Sequence, residues 1–274
     1  MDQYAVMGDP ITHSKSPAIH TQFAQSCGQT LNYSAIQVAA NHLQDAINDF
    51  RTKQGKGLNI TVPLKQEAFE LADTLSPRAQ RAGAVNTLLL NADGSIQGDN
   101  TDGLGLVNDI VHNLNTPIQD QRILILGAGG AVRGVLEPII EQQPKSLTIA
   151  NRTLSKAMEL KKDFADLLSI DACTFDEANA QYDIIINGTS ASLHGDLPPL
   201  NDGIFSDQSL AYDMMYAAND TPFTEWAKQQ RATQVADGLG MLVEQAAQSF
   251  YLWRQQKPNS QEVLKWLREQ LHNA

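Results

Sequence analysis

The segment Arg122-Ile123-Leu124-Ile125-Leu126 runs straight into Gly127-Ala128-Gly129-Gly130-Ala131. A continuous apolar run has no exposed face, so it predicts a parallel strand covered on both sides. Glycines at its end, with a helix predicted from Ala131 onward, describe a strand, a tight turn and a helix. Gly127 permits the turn, Gly129 lets a pyrophosphate approach the backbone, and the helix N-terminus offers unpaired N–H groups to an anion. A glycine-rich turn without a ligand is the competing reading. The third fingerprint position, ordinarily Gly or Ala, is Val132, which predicts a helix riding slightly further from the sheet.

Around this unit, apolar runs alternate with segments of helical period. Leu147-Thr148-Ile149-Ala150, Tyr182-Asp183-Ile184-Ile185-Ile186 and Leu210-Ala211-Tyr212-Asp213 read as further strands. Ala157, Leu160, Phe164 and Leu167 recur at helical spacing between them. This βαβαβ alternation predicts a doubly wound parallel sheet that begins a third of the way into the chain. Before it, Tyr4 to Gly8, Leu58 to Val62 and Val85 to Leu90 read as strands of a separate α/β unit. Pro63 stops the second of these, and Asn91-Ala92-Asp93-Gly94 turns the chain after the third. Leu104, Val107, Ile110, Val111 and Leu114 mark an amphipathic helix between the units. Two helices follow, one with the stripe Leu239, Leu242, Val243, Ala246, Ala247 and Phe250, and one from Gln261 to Leu271. The fold class is α/β in two domains.

The net charge is −11, which argues against nucleic acid as a partner, since phosphate neutralisation needs basic surface. No apolar stretch approaches the ~20 residues that span a bilayer, and Met1 to Pro10 lacks the pattern of a secretion signal. Cys27 and Cys173 belong to no metal-spaced cluster and read as two thiols in a reducing cytoplasm. No metal is expected.

About 25 residues after the glycine turn, a site for an unphosphorylated ribose usually carries an acid. Here the chain reads Asn151-Arg152-Thr153, with Lys156 close behind. Arg grips phosphate in a fork, Thr donates a hydrogen bond and Lys adds charge, so these residues predict preference for NADP(H). Asn187-Gly188-Thr189-Ser190 follows a strand and either lines a nicotinamide ribose or makes a turn. Lys65, just past a strand-ending proline, is a cleft-edge amine or a solvated surface group. Asp102, in Gly98-Asp99-Asn100-Thr101-Asp102-Gly103, is a functional carboxylate or a helix N-cap.

Taken together, Gly8-Asp9-Pro10-Ile11-Thr12-His13-Ser14-Lys15-Ser16-Pro17, Asn59-Ile60-Thr61-Val62-Pro63-Leu64-Lys65, Gly83-Ala84-Val85-Asn86-Thr87 and Gly98 to Gly103 form a recognisable series. With Gly127 to Ala131, Asn151-Arg152-Thr153 and Asp237-Gly238-Leu239-Gly240-Met241-Leu242-Val243-Glu244-Gln245-Ala246, the series resembles shikimate dehydrogenases from the first strand to about Phe250. The resemblance implies interconversion of 3-dehydroshikimate and shikimate with NADP(H). It implies that Ser14, Ser16 and Tyr216 hold the substrate carboxylate, and that Thr61, Asn86, Asp102 and Gln245 bind ring hydroxyls. Lys65 is implied as proton donor and acceptor, with Asp102 beside it. Gly127, Ala128, Gly129, Gly130 and Ala131 are implied for the pyrophosphate, and Asn151, Arg152, Thr153, Leu154, Ser155 and Lys156 for the 2′-phosphate end. Thr189, Met214 and Gly238 are implied for the nicotinamide end. Two positions depart from the family pattern: Lys156 stands where Arg is frequent, and Pro77 where some members carry an acid.

The resemblance further implies a substrate domain of residues 1–102 plus 239–274, a Rossmann-like NADP domain of residues 103–238, and a cleft between them. A monomer or homodimer is expected. The rival readings are a broader quinate/shikimate dehydrogenase and a non-catalytic NADP sensor on the same fold.

Overall fold

The computed structural model describes residues 1–273, without the side chains of Leu193 and His194. The chain divides into two compact units, Met1–Gly105 with Val243–Leu267, and Leu106–Leu242 with Arg268–Ala274. Residues from Arg268 on therefore group with the second unit, where the expectation grouped 239–274 as a whole. Within the second unit the Arg268 guanidinium donates to both carboxylate oxygens of Asp237.

The first unit opens with β1 (Asp2–Gly8), α1 (Ser16–Ser26), β2 (Leu31–Gln37), α2 (Leu43–Thr52) and β3 (Gly55–Ile60). It continues through α3 (Lys65–Leu71), β4 (Thr74–Leu75), α4 (Pro77–Ala82), β5 (Thr87–Leu90), β6 (Ile96–Asp99) and α5 (Asp102–Asn108). Its sheet has the order β2-β1-β3-β5-β6-β4. β1 pairs in parallel with β2 and β3, whereas β5 runs antiparallel to both β3 and β6. One face packs Ala5, Met7, Leu58 and Ile60 with Leu43 and Ile47 of α2. The other face gathers Tyr4, Val6 and Tyr33 against Trp253. β3 ends at Ile60, two residues before the expected end, because the Thr61 carbonyl accepts from the Leu64 amide at 2.9 Å and closes a turn through Pro63. β2 was not anticipated; as an edge strand its exposed positions are Asn32, Ala35 and Gln37, so it lacks an apolar run.

In the second unit the helix expected over Leu104 to Leu114 is composite. α5 passes into a wider π-helical turn at Asp109–Asn113, where buried Asp109 accepts from the Tyr212 hydroxyl at 2.6 Å. Then come β7 (Arg122–Leu126), α6 (Gly130–Glu141), β8 (Ser146–Ala150), α7 (Leu154–Asp163) and β9 (Asp171–Cys173). After these lie β10 (Tyr182–Asn187), β11 (Phe205–Asp213), α8 (Pro222–Gln229) and β12 (Gln234–Ala236). α9 (Leu239–Arg254) and α10 (Ser260–His272) close the chain. The sheet order is β12-β11-β10-β7-β8-β9, with every pair parallel. Counted from β7, this is the doubly wound dinucleotide-binding order. Ile123 and Ile125 of β7 enter one core and Leu124 and Leu126 the other, which is why the run carries no polar alternation.

Candidate active site

In the first unit, Lys65 begins α3 and Asp102 begins α5. The segment leading into β5 anchors the chain near both: the Val85 amide donates to the Lys65 carbonyl at 2.9 Å, and the Asn86 amide to the Asp99 carbonyl, three residues before Asp102, at 3.0 Å. Lys65 Nζ lies 2.5 Å from Asp102 Oδ2, with side chains 29% and 16% exposed. The other carboxylate oxygen, Oδ1, accepts from Asn86 Nδ2 at 2.8 Å. Asp102 is thus no N-cap; the Asn100 side chain takes the Asp102 amide at 3.1 Å and leaves the carboxylate to the lysine. Asn86 is 2% exposed and also meets Gln245 Oε1, at 3.2 Å, so Lys65, Asp102, Asn86 and Gln245 form one cluster.

A further layer lies beneath. Asn59 donates to Ser249 Oγ at 3.0 Å, Ser249 meets Thr87 Oγ1 at 2.8 Å, and the Thr101 amide donates to Asn86 Oδ1 at 2.9 Å. Asn59, Thr87, Thr101 and Ser249 were absent from the expected site. Asn59 had a readable signal, a polar residue inside the apolar stretch Leu58-Asn59-Ile60. Ser249 had none. Ser14 and Ser16 lie at the start of α1, where the Ser16 amide donates to Ser14 Oγ at 3.3 Å. Thr61 follows β3 and packs on Gly8, where a Cβ would come within 2.4 Å of Thr61 Cγ2.

In the second unit, Gly127 holds φ at 103°, which side-chain-bearing residues rarely adopt. A Cβ there would sit 3.2 Å from Thr189 Cγ2. Gly129 and Gly130 face open space, and α6 starts without a side-chain cap, so its first amides remain available to an anion. Val132 is fully buried, and its Cγ2 occupies the place where a Gly188 Cβ would lie, at 2.5 Å. The missing side chain at Gly188 makes the room that the fingerprint ordinarily obtains by a small third residue. Arg152, Thr153, Leu154, Ser155 and Lys156 are exposed at the end of β8, and Asn151 Nδ2 donates to the Thr153 carbonyl at 2.8 Å. Arg152 and Lys156 form no ion pair with any described residue, so their charge is open to a phosphate.

Thr189 donates to Asn187 Oδ1 at 2.7 Å, Met214 donates its amide to the Asn187 carbonyl at 2.9 Å, and the Gly238 amide donates to the Met215 carbonyl at 3.0 Å. Gly238 must be glycine, since a Cβ would lie 2.2 Å from the Met214 oxygen. Thr189, Met214 and Gly238, the positions expected at the nicotinamide end, thus belong to one patch at the carboxyl ends of β10, β11 and β12. Tyr216 lies just past β11, its phenol pushed up by burial and then by the Asp237 charge. The glycine turn, the open helix start, the unpaired cations and this patch fit a phosphorylated dinucleotide. Among the described residues no cluster of metal ligands occurs, and no helix is long and apolar enough to cross a membrane.

Three family models match in order along the chain. The shikimate dehydrogenase substrate binding domain matches residues 6–88, shikimate / quinate 5-dehydrogenase residues 109–194, and the shikimate 5′-dehydrogenase C-terminal domain residues 238–268. A shikimate dehydrogenase (NADP(+)) of Cellvibrio japonicus is 57% identical over 99% of this chain and 98% of its own. The chain belongs to the shikimate dehydrogenase family. Among solved structures, an Ael1 enzyme of Pseudomonas putida superposes with a TM-score of 0.92 at 45% identity, covering 97% of this chain and 98% of that one. The Thermus thermophilus shikimate 5-dehydrogenase, in complex with NADP(H) and shikimate, gives 0.87 at 32% identity over 98% and 99% of the two chains. Of the two departures from the shikimate dehydrogenase pattern, Pro77 takes the first turn of α4 behind the Ser76 cap, a position that suits proline. Lys156 keeps a positive charge in the first turn of α7.

Proposed function

We propose that the chain reversibly reduces 3-dehydroshikimate to shikimate with NADPH, the first unit holding the substrate and the second the cofactor. The observation that carries this reading is the Lys65–Asp102 pair, with Asn86 and Gln245 bonded into it. When bound, NADPH supplies the hydride to the carbonyl carbon. Lys65 has three N–H donors and gives one to Asp102, so the others are open to the substrate oxygen. As negative charge grows on that oxygen, the ammonium stabilises it and transfers a proton, leaving a hydroxyl group and a neutral amine that water reprotonates. Asp102 orients the amine and accepts from a ring hydroxyl, a task shared with Thr61, Asn86 and Gln245. Ser14, Ser16 and Tyr216 hold the carboxylate through hydroxyl donors.

For the cofactor, Gly127 to Ala131 cradle the pyrophosphate, Asn151 to Lys156 enclose the 2′-phosphate, and Thr189, Met214 and Gly238 bed the nicotinamide. We place the reaction in a reducing cytoplasm, supported by Cys27 and Cys173 standing as free thiols. The test is a coupled assay that follows NADPH absorbance with shikimate or quinate and NADP or NAD. Shikimate with NADP is expected to turn over fastest. Equal rates with quinate would replace this reading by the broader dehydrogenase, and binding of NADPH without any turnover would replace it by a sensor.

A further inference from the structure

Asp213 ends β11 and is completely buried. Among the described residues its carboxylate has no cation as hydrogen-bond partner. Thr221 Oγ1 donates to Oδ2 at 2.6 Å and Ser192 Oγ to the same oxygen at 2.7 Å. Asn187 Nδ2 donates to Oδ1 at 3.1 Å, and the Met215 amide to Oδ1 at 3.0 Å. Burial pushes the carboxyl up, and the four donors pull it back. A buried carboxylate held only by neutral dipoles is a costly way to fill space, and an apolar residue would serve a plain core better.

What the four donors have in common is where they lie. Asn187 and Ser192 bracket the loop after β10, and Met215 and Thr221 bracket the loop after β11. Asn187 passes the constraint on, because its Oδ1 accepts both the Thr189 amide, at 3.1 Å, and the Thr189 hydroxyl. Thr221 also caps α8 by accepting from the Thr224 amide at 3.2 Å, so the far end of the second loop is tied to a helix as well as to Asp213. Met214 and Tyr216 ride on that loop. Gly238 is fixed to the same loop through the Met215 carbonyl.

We propose that Asp213 is a positioning residue for the nicotinamide end of the site, stapling the Thr189 loop and the Met214–Tyr216 loop into one bed through four neutral donors. The proposal rests on the reading of the second unit as the NADP(H) site. Asp213 touches no reacting atom in this role; it acts through Asn187 and Met215.

Asp213→Asn keeps the size of the side chain. Its carbonyl can still face the Met215 amide, and the Ser192 and Thr221 hydroxyls can turn to accept from its NH2, so the core remains satisfied while the staple loses its charge-assisted bonds. Affinity is read for two ligands: NADPH, by fluorescence, and adenosine 2′,5′-bisphosphate, which carries the 2′-phosphate end and no nicotinamide. The expected result is a Kd for NADPH raised about tenfold, the size of one lost charge-assisted bond, with the bisphosphate unchanged. Equal weakening of both ligands would mean general loosening and overturns the proposal, as does unchanged NADPH affinity. A wild-type protein that fails to bind the bisphosphate would remove the NADP reading itself, and the proposal with it. Should Asp213→Asn not fold, Ser192→Ala deletes one donor; a rise of about threefold in the Kd for NADPH alone supports the staple, and no rise overturns it.

Discussion

Lys65 has three hydrogens to offer, and the geometry commits only one of them. In the proposed reaction, replacing it by Ala removes the proton donor and the charge offered to the substrate oxygen while leaving Asn86, Gln245 and the serines in place. The expected outcome is a kcat lower by about 10²–10⁴ with a KM changed only a few-fold, read from initial rates with shikimate. A variant with near-normal kcat would dismiss Lys65 as the acid. Arg152→Ala tests the other end: loss of one charge-assisted phosphate bond should cut the NADP-over-NAD ratio of kcat/KM by about ten- to a hundredfold, and an unchanged ratio would refute the 2′-phosphate assignment. Both residues were visible in the sequence for different reasons. Arg152 stands out because it follows a strand with no acid nearby. Lys65 alone looks like any surface lysine, because its meaning lies in Asp102, which only the β5–β6 hairpin brings beside it. Asp213 was legible as a strand end and nothing more, since its four partners come from two separate loops.

At the scale of elements, the central strands announced themselves. β7 and β10 are apolar on both faces, and glycine or a polar turn punctuates each. Edge strands do not, as β2 shows. The passage from β7 to α6 is the element on which the cofactor reading turns, and its glycines are unequal. Gly127 sits at positive φ against Thr189, so Gly127→Ala should cost about 1–3 kcal/mol of stability and weaken NADPH binding with it. Gly130 opens a helix and faces space, so Gly130→Ala should hold or raise stability by up to about 1 kcal/mol in the absence of cofactor. If Gly130→Ala nonetheless weakens NADPH binding, a ligand approaches that backbone closely. Melting temperatures with and without NADPH separate the two effects. A Gly127→Ala protein as stable as wild type would contradict the strained turn.

At the scale of the molecule, the order of units was readable because each builds its own apolar pattern, but a polar core inside the first unit was not. His20 is completely buried, stacks on Tyr33 at 4.3 Å between ring centroids, and donates from Nε2 to Asn59 Oδ1 at 3.1 Å. Its Nδ1 is buried and has no hydrogen-bond partner among the described residues. Burial holds its pKa at about 3, so the folded chain keeps it neutral while an unfolded chain binds a proton near 6.5. Between those values the unfolded state carries the extra proton, so acid pulls the equilibrium toward unfolding. The stability His20 contributes is therefore complete above pH 6.5 and is lost as pH falls toward 3, at a limiting slope of about 1.4 kcal/mol per pH unit. Carboxylates as a class titrate in part of the same window, so the quantity to measure is the difference between wild type and His20→Gln. Gln keeps a donor for Asn59 and has no proton to take up. Urea unfolding at a series of pH values from 7 to 4 should show the wild type losing stability faster than the variant, the gap closing steadily toward acid. Parallel losses would mean that His20 is protonated in the folded protein, and that the polar core of the first unit tolerates a charge beside Asn59.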